Sequence, residues 1–561
     1  MPPGNAAFTW LDWAVLGAYL AGITAFGLWI ARRIRTSRGY FLGDRNFPWW
    51  VMIGQAFGTG THAENPVAQT GAVFDRGFAT IWYQWKNMLI TPFYWLMAPW
   101  YRRSERTTIG EIVEDRFGRG MAFAYTLFAM LYFVCNQGAM LKGAGKVISV
   151  ATGGQLVSPN GCVAAMVGTF VLYSFFGGLA AAAYTDFVQG FLIIALSFML
   201  IPSGLAAVGG VEGVRASLPA DFFELYNQAS GIDLFTIAML TLNGLVGITA
   251  QPHILAMNAA GRTERAGRVG QTYGNMIKRL CTIGWALTGL IVAALVIRTG
   301  VSLGDNENAF GYACLHLLGP GFTGLMVACV LAANMSTCSN FMVNSGALFT
   351  RNVYVRFIRP GAGDRECLLV GRLSGLGMTM LGVLFALSVD QVLDAFLFNE
   401  TIPAFLGITV MGGILWRRAN RYGAYAATAT ALGVYYALNA HASGALNLVY
   451  KWTPEPFGWA MLAGAAAFVL ASLATRPESA ERTAAFFDAM RRSSDAAPGA
   501  PKPLAADRGQ DLVLLDVTGW FSRARWRGFF RRYREDLAGF VLAWGAVLLL
   551  IALAWGLLQI R

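Results

Sequence analysis

Charge is scarce in this 561-residue chain: Asp, Glu, Lys and Arg make up 13% of it, about half the ~25% of an average soluble domain. That scarcity excludes a disordered chain and an ordinary cytosolic enzyme. Histidine is rarer still, with four residues, and His62-Ala63-Glu64-Asn65 lacks the second imidazole of a zinc-protease helix. The seven cysteines (Cys135, Cys162, Cys281, Cys314, Cys329, Cys338, Cys367) are scattered, mostly through apolar runs, with no CxxC or CxxH pair. A zinc site, a redox motif and a disulfide scaffold are therefore not indicated. Gly138-Ala139-Met140-Leu141-Lys142-Gly143 lacks the spacing of a phosphate loop. No nucleophile stands near a base, so neither a catalytic residue nor an organic cofactor is assigned.

What the chain does have is apolar residues, at 56%, and 65 glycines, about 12% against a usual ~7%. Together they describe an all-α polytopic membrane protein whose helices approach closely through small residues. A bilayer-crossing helix needs about 20 mostly apolar residues. Fourteen segments qualify: 10–31, 48–71, 79–101, 121–150, 160–180, 183–208, 232–257, 272–297, 320–346, 369–389, 393–416, 422–441, 456–475 and 537–559. No Lys or Arg precedes the first and four arginines (Arg32, Arg33, Arg35, Arg38) follow it, the reverse of a cleaved signal peptide. With fourteen spans, the loops 32–47, 102–120, 258–279, 351–372, 417–421 and 476–535 share one side and hold 35 of the 43 basic residues. Basic loops face the cytoplasm, so the expectation is a multi-pass protein of the cell (inner) membrane with both termini outside.

Two spans have an odd centre. The second reads Phe57-Gly58-Thr59-Gly60-Thr61-His62-Ala63-Glu64-Asn65-Pro66. The seventh reads Asn243-Gly244-Leu245-Val246-Gly247-Ile248-Thr249-Ala250-Gln251-Pro252-His253. Glycine costs about 1 kcal/mol in a helix interior and proline about 3, so both are expected to be broken. Each opens a run of five spans. Interrupted spans at matching positions of two halves point to a transporter's binding site. The expected layout is an N-terminal extra span and basic loop (1–47), inverted repeat 1 (48–208), an outer loop (209–231), inverted repeat 2 (232–416), accessory spans (417–475), a basic and aromatic segment (476–535) and a last span (536–561).

Several motifs fall in the order and spacing of one family. Phe41-Leu42-Gly43 with Pro48-Trp49-Trp50 resembles the entry to the first core helix of the sodium/solute symporters, and Arg106-Thr107-Thr108-Ile109-Gly110-Glu111 resembles the stretch after their next span. Gly177-Gly178-Leu179 followed by Tyr184-Thr185-Asp186-Phe187-Val188-Gln189 is similar to their loop between the fourth and fifth core helices. Gln251-Pro252-His253-Ile254-Leu255 is similar to the proline and pantothenate branch. Ala332-Ala333-Asn334-Met335-Ser336-Thr337 through Leu348-Phe349-Thr350-Arg351-Asn352-Val353-Tyr354 resembles the family's signature. The likeness runs from about 12 to 475.

This resemblance implies an inverted five-helix repeat of the leucine-transporter type and Na⁺-driven uptake of a small organic solute. Carried over, Gly58, Thr61 and Ala333 give carbonyls to Na⁺, Ser336 and Thr337 give hydroxyls, and Asp186 lies on the ion's route to the cytoplasm. The substrate positions match Asn65, Gln84 and Asn87. Three residues depart from the family pattern: Gly60 replaces a carboxylate or amide, His62 a small residue and Asn352 an aspartate. None is a proposed ion ligand.

The residues themselves allow this chemistry. A hard cation takes oxygen ligands, and a broken helix frees carbonyls. Ala333, Ser336 and Thr337 share one helical face, though the two hydroxyls can equally bond the carbonyl four residues back. Lys86, between Gln84 and Asn87, either receives an anionic group of the solute, pairs with Glu64, or snorkels to the outer surface. His62 and His253, the latter beside Gln251, bind solute or cap loose backbone. Lys142 and Lys146 are expected to snorkel. An anionic solute would favour two or more sodium ions, because with one the voltage term cancels. In 476–535, Ser493 to Gln510 reads as a linker. The aromatic and arginine-rich run Trp520–Arg534 suits a helix on anionic lipid, with no nucleic acid and no obligate protein partner. A proton-coupled carrier and a transporter-like solute sensor are the competing functions.

Overall fold

The computed structural model describes residues 8–560 apart from 33, 153–158, 389–391, 496–501 and 522. Arg33 of the first basic loop and residues 496–501 of the linker lie outside the described residues, as does the side chain of Cys162. The described residues form helices joined by turns, with isolated bridges such as Phe47 to Gly261 in place of any sheet. Nine of the described helices are long and apolar enough to cross a membrane. The other expected spans differ for physical reasons. Those at 48–71, 79–101 and 232–257 are broken into short pieces, and Arg421–Ser443, with Arg421 at its start and several polar residues along it, is not among the nine.

Sixteen helices position the site. They are α1 (Trp10–Ala31), α2 (Trp49–Thr59), α3 (Glu64–Arg76), α4 (Thr91–Arg103), α5 (Arg119–Ala151), α6 (Pro159–Phe198), α7 (Leu234–Gly247) and α8 (Ile254–Ala259). They continue with α9 (Glu264–Thr299), α10 (Phe322–Phe349), α11 (Asp364–Ser388), α12 (Val392–Leu415), α13 (Arg421–Ser443), α14 (Pro454–Ala474), α15 (Ala480–Met490) and α16 (Arg534–Gln559). The centre is α10, buried at nearly every position from Met326 to Leu348. Around it pack α1, α5, α6 and α11. Asp12 of α1 accepts the N–H groups of Gly321 (2.8 Å) and Gly324 (2.6 Å), which fixes the start of α10.

A 40-residue helix would be about 60 Å long, twice the ~30 Å hydrocarbon core. Accordingly α6 leaves helical geometry at Gly178 (φ 55°, ψ −149°). A Cβ there would lie 2.5 Å from the Tyr40 carbonyl oxygen, so the turn requires glycine.

Two sequence expectations are corrected here. Lys146 does not snorkel; it pairs with Asp305 (3.2 Å) and Glu307 (2.5 Å). The run Trp520–Arg534 is not one surface helix but two four-residue turns, Arg523–Trp526 and Phe529–Arg532. Arg525 folds inward onto the carbonyls of Val513 (3.2 Å), Leu515 (3.0 Å) and Asp516 (2.7 Å), while Trp526 and Phe530 stay exposed. The preceding segment is docked on protein: Arg103 of α4 binds Glu264 of α9 (2.9 Å) and the Met490 carbonyl (3.0 Å), and Glu264 also accepts from Ser494 (2.7 Å).

Candidate functional site

The first break runs from Gly60 to Ala63, between α2 and α3. Pro66 sits inside the first turn of α3, where its missing N–H is harmless. The second break runs from Gln251 to His253, after a 3-10 turn that ends α7. A third, not foreseen from the sequence, runs from Lys86 to Ile90, just before α4. Its only local signal is Pro92 near the start of α4.

Backbone groups freed in a bilayer must find partners. Ala63 N–H donates to Asn334 Oδ1 (2.9 Å), whose amide donates to the Met140 carbonyl (2.6 Å). His62 N–H donates to Asn65 Oδ1 (3.2 Å) and Lys278 Nζ to the Gly60 carbonyl. In the second break, Tyr101 and Tyr125 hydroxyls donate to Thr249 (3.2 Å) and Ala250 (2.7 Å) carbonyls.

Beside the first break, α10 supplies Thr337. Its Oγ1 lies 3.3 Å from the Gly58 carbonyl, 3.2 Å from that of Thr59 and 3.4 Å from that of Ala333. One hydroxyl has one hydrogen, and these are long for O–H···O bonds, which cluster at 2.5–3.0 Å. An octahedral cage with ~2.3–2.6 Å ligand distances has neighbouring oxygens about 3.3–3.7 Å apart. The three distances from the Thr337 hydroxyl lie close to that oxygen–oxygen spacing. Gly58 permits it, since a Cβ there would lie 2.7 Å from Ser336 Oγ.

Ser336 lies between Gly58 and Asp186. Its hydroxyl donates to Asp186 Oδ1 (2.6 Å), while Asn340 (2.7 Å) and Thr59 (3.2 Å) donate to Oδ2. Asp186 is fully buried. Thr61 is buried with its N–H on the Gly58 carbonyl (3.2 Å).

Between the three breaks lies a polar cavity of ≈ 50 Å³ whose lining includes His62, Gln84, Lys86, Asn87, Gln251 and His253. The cavity omits Asn65, which turns back to His62 N–H. Lys86 does not pair with Glu64 and does not reach the surface. It is 1% exposed and 3.6 Å from Glu400 of α12, which also accepts from Gln251 Nε2 (3.1 Å). Glu64 contacts His62 instead. His253 stacks on Tyr132 with ring centroids 6.0 Å apart. Glu400, Lys278 and Arg279 also line the cavity. Sequence reasoning missed all three: Lys278 and Arg279 were counted with the basic loop 258–279, yet both are buried within α9. Among the described residues, no three His, Cys, Asp or Glu side chains gather as a metal cluster.

Comparison with known proteins places the chain in a family. The chain is 27% identical to the osmoregulated proline transporter OpuE of Bacillus subtilis over 425 residues, covering 73% of this chain and 85% of the relative. It is 24% identical to the sodium/glucose cotransporter of Vibrio parahaemolyticus, covering 74% and 82%. It is 26% identical to the sodium/mannose cotransporter SLC5A10 of Bos taurus, covering 75% and 77%. A Na⁺-coupled sialic acid symporter, solved in a substrate-bound outward-open state, shares the fold with a TM-score of 0.69 at 17% identity, covering 84% of this chain and 99% of that one. The family model matching residues 40–431 is that of the sodium:solute symporters, and the chain belongs to this family of Na⁺-coupled membrane carriers, which are not enzymes.

Proposed function

We propose that the protein is a secondary carrier that couples Na⁺ entry to uptake of a small organic solute by alternating access. Na⁺ sits among the carbonyls of Gly58, Thr59 and Ala333 and the hydroxyl of Thr337. Ser336 and Asp186 form the next layer, on the ion's way out. Thr61 completes the shell from the break. The solute occupies the cavity between the breaks, touching Gln84, Lys86, Asn87, His62, Gln251 and His253. Asn65 acts behind them by holding His62. The observation that carries this reading is the convergence of three carbonyls on one hydroxyl at 3.2–3.4 Å.

In the same reading the chain crosses the membrane fourteen times. Residues 48–208 and 232–416 form two inverted repeats that each open on a broken helix, and both termini lie outside. Exposed Trp526 and Phe530 meet lipid at the arginine-rich face. Solute pockets usually measure ~300–1,000 Å³, so the ≈ 50 Å³ cavity must widen when solute enters. The relatives named for proline, glucose and mannose do not single out one solute.

The test is thermal unfolding of the purified chain in NaCl, LiCl, KCl and choline chloride at equal ionic strength. Sodium should raise Tm in a saturable way and the double variant Ser336→Ala/Thr337→Ala should shift its midpoint at least tenfold. Equal stabilisation by potassium, or an unchanged midpoint, would refute the assignment. A proton-coupled carrier has one observation in its favour, the buried Asp186 beside the cage. Asp186→Asn separates the two: a proton carrier loses pH-driven accumulation, whereas a sodium carrier keeps sodium-dependent stabilisation.

A further inference from the structure

Neighbouring cations at Lys278 and Arg279 both line the cavity, and they are 8% and 1% exposed. Among the described residues neither makes an ion pair. The wall's carboxylate, Glu400, is engaged by Lys86 and Gln251, and Glu64 is held against His62. Lys278 spends one hydrogen on the Gly60 carbonyl; the Arg279 guanidinium meets the neutral Tyr94 hydroxyl, and its Nε finds no acceptor. Uncompensated buried charge is strongly unfavourable, and a guanidinium presents a planar fork that matches a carboxylate. Gln84 Nε2, a further lining donor, also lacks a partner.

We propose that the solute carries a carboxylate, and that Arg279 and Lys278 seat it, with Gln84 as an auxiliary donor. This deepens, and rests on, the reading of the cavity as the solute site. A neutral sugar would leave the two cations uncompensated. A zwitterionic amino acid would need a carboxylate for its ammonium, and Glu400 already faces Lys86. The Lys86–Glu400 pair, with Gln251 on the same carboxylate, then reads the rest of the solute through hydrogen bonds rather than charge.

The test uses the purified full chain at fixed 150 mM Na⁺ and the fragment common to every carboxylate solute. Formate and acetate at ~50 mM are expected to raise Tm by about 2 °C or more, while acetamide, of nearly the same shape but uncharged, does not. Arg279→Gln should abolish the acetate effect and leave the sodium midpoint within about twofold. Arg279→Lys, which keeps the charge, should retain a weakened effect and guards against a variant that merely folds poorly. Equal action of acetamide, an undiminished acetate effect in both Arg279→Gln and Lys278→Gln, or no effect of acetate at all would overturn the proposal. So would inorganic phosphate acting at a tenfold lower concentration, or stabilisation by glucose or proline exceeding that by acetate. Loss of sodium stabilisation in the unmodified chain would instead strike the symport reading, which keeps the two failures apart.

Discussion

Among single residues, Thr337 and Asn334 separate two jobs that α10 performs one turn apart. Thr337 faces three carbonyl oxygens with one hydrogen to give, so its replacement should be felt where a cation would sit. Thr337→Ala alone should raise the sodium concentration for half-maximal stabilisation at least tenfold, and Thr337→Ser should restore most of it, both read from Tm titrations. Asn334 instead holds backbone: its amide bridges the Ala63 N–H and the Met140 carbonyl. Asn334→Leu leaves the buried Ala63 N–H without its acceptor, at about 1–3 kcal/mol, and should lower Tm without moving the sodium midpoint. The hydroxyls of 336 and 337 were legible in the sequence because they share a face with Ala333. Their division of labour was not, since spacing along one helix cannot tell which hydroxyl meets α2 and which meets Asp186. Glu400 escaped notice for a similar reason: within an apolar run, nothing local marks a partner for a lysine more than 300 positions away.

For helices and their interruptions, the breaks at 60–63 and 251–253 could be read from clustered glycine, hydroxyl and proline residues. The break at 86–90 has no glycine, and its first residue, Lys86, finds its charged partner Glu400 on a distant helix. The side chains that tie off the freed carbonyls come from other helices and are invisible in a local pattern. Tyr125→Phe removes the bond to the Ala250 carbonyl (2.7 Å) and should cost about 1 kcal/mol or somewhat more, measured as a fall in Tm. Gly178→Ala is a harsher test of the turn in α6. It combines a positive φ with a 2.5 Å approach to the Tyr40 carbonyl, and should sharply reduce the yield of monodisperse protein in size-exclusion chromatography.

Across the whole molecule, the segment after α14 gathers helices that are far apart in sequence. Glu478 binds Arg421 (2.7 Å) and Arg482 (3.3 Å). Burial alone would push its carboxyl up, but the hydrogen bonds from Arg421 and the charges of both arginines outweigh that and hold it below the ordinary range. A carboxyl lowered on folding stabilises above its unfolded value, ~4.3, and loses that contribution as pH falls through the folded value. The Tm difference between the parent and Glu478→Gln should therefore be fully present near pH 7 and shrink below about pH 4.5. Composition revealed the basic character of this segment but not its seat, because arginines that bind carbonyls and arginines that meet lipid look alike in a sequence. The same ambiguity hid Lys278 and Arg279, which a tally of basic loops absorbed.

Arg103 and Glu264 share Met490 and Ser494 with this segment, and farther along Asp516 takes Arg417 (3.2 Å) and Arg491 (3.6 Å) while its N–H meets the Ile414 carbonyl (3.2 Å). One end of the helix bundle is thus laced by a single thread. Contacts through Met490 and Asp516 tie the end of α12 to α4 and α9, so breaking them would alter the rhythm of opening on that side while leaving the proposed ion cradle untouched.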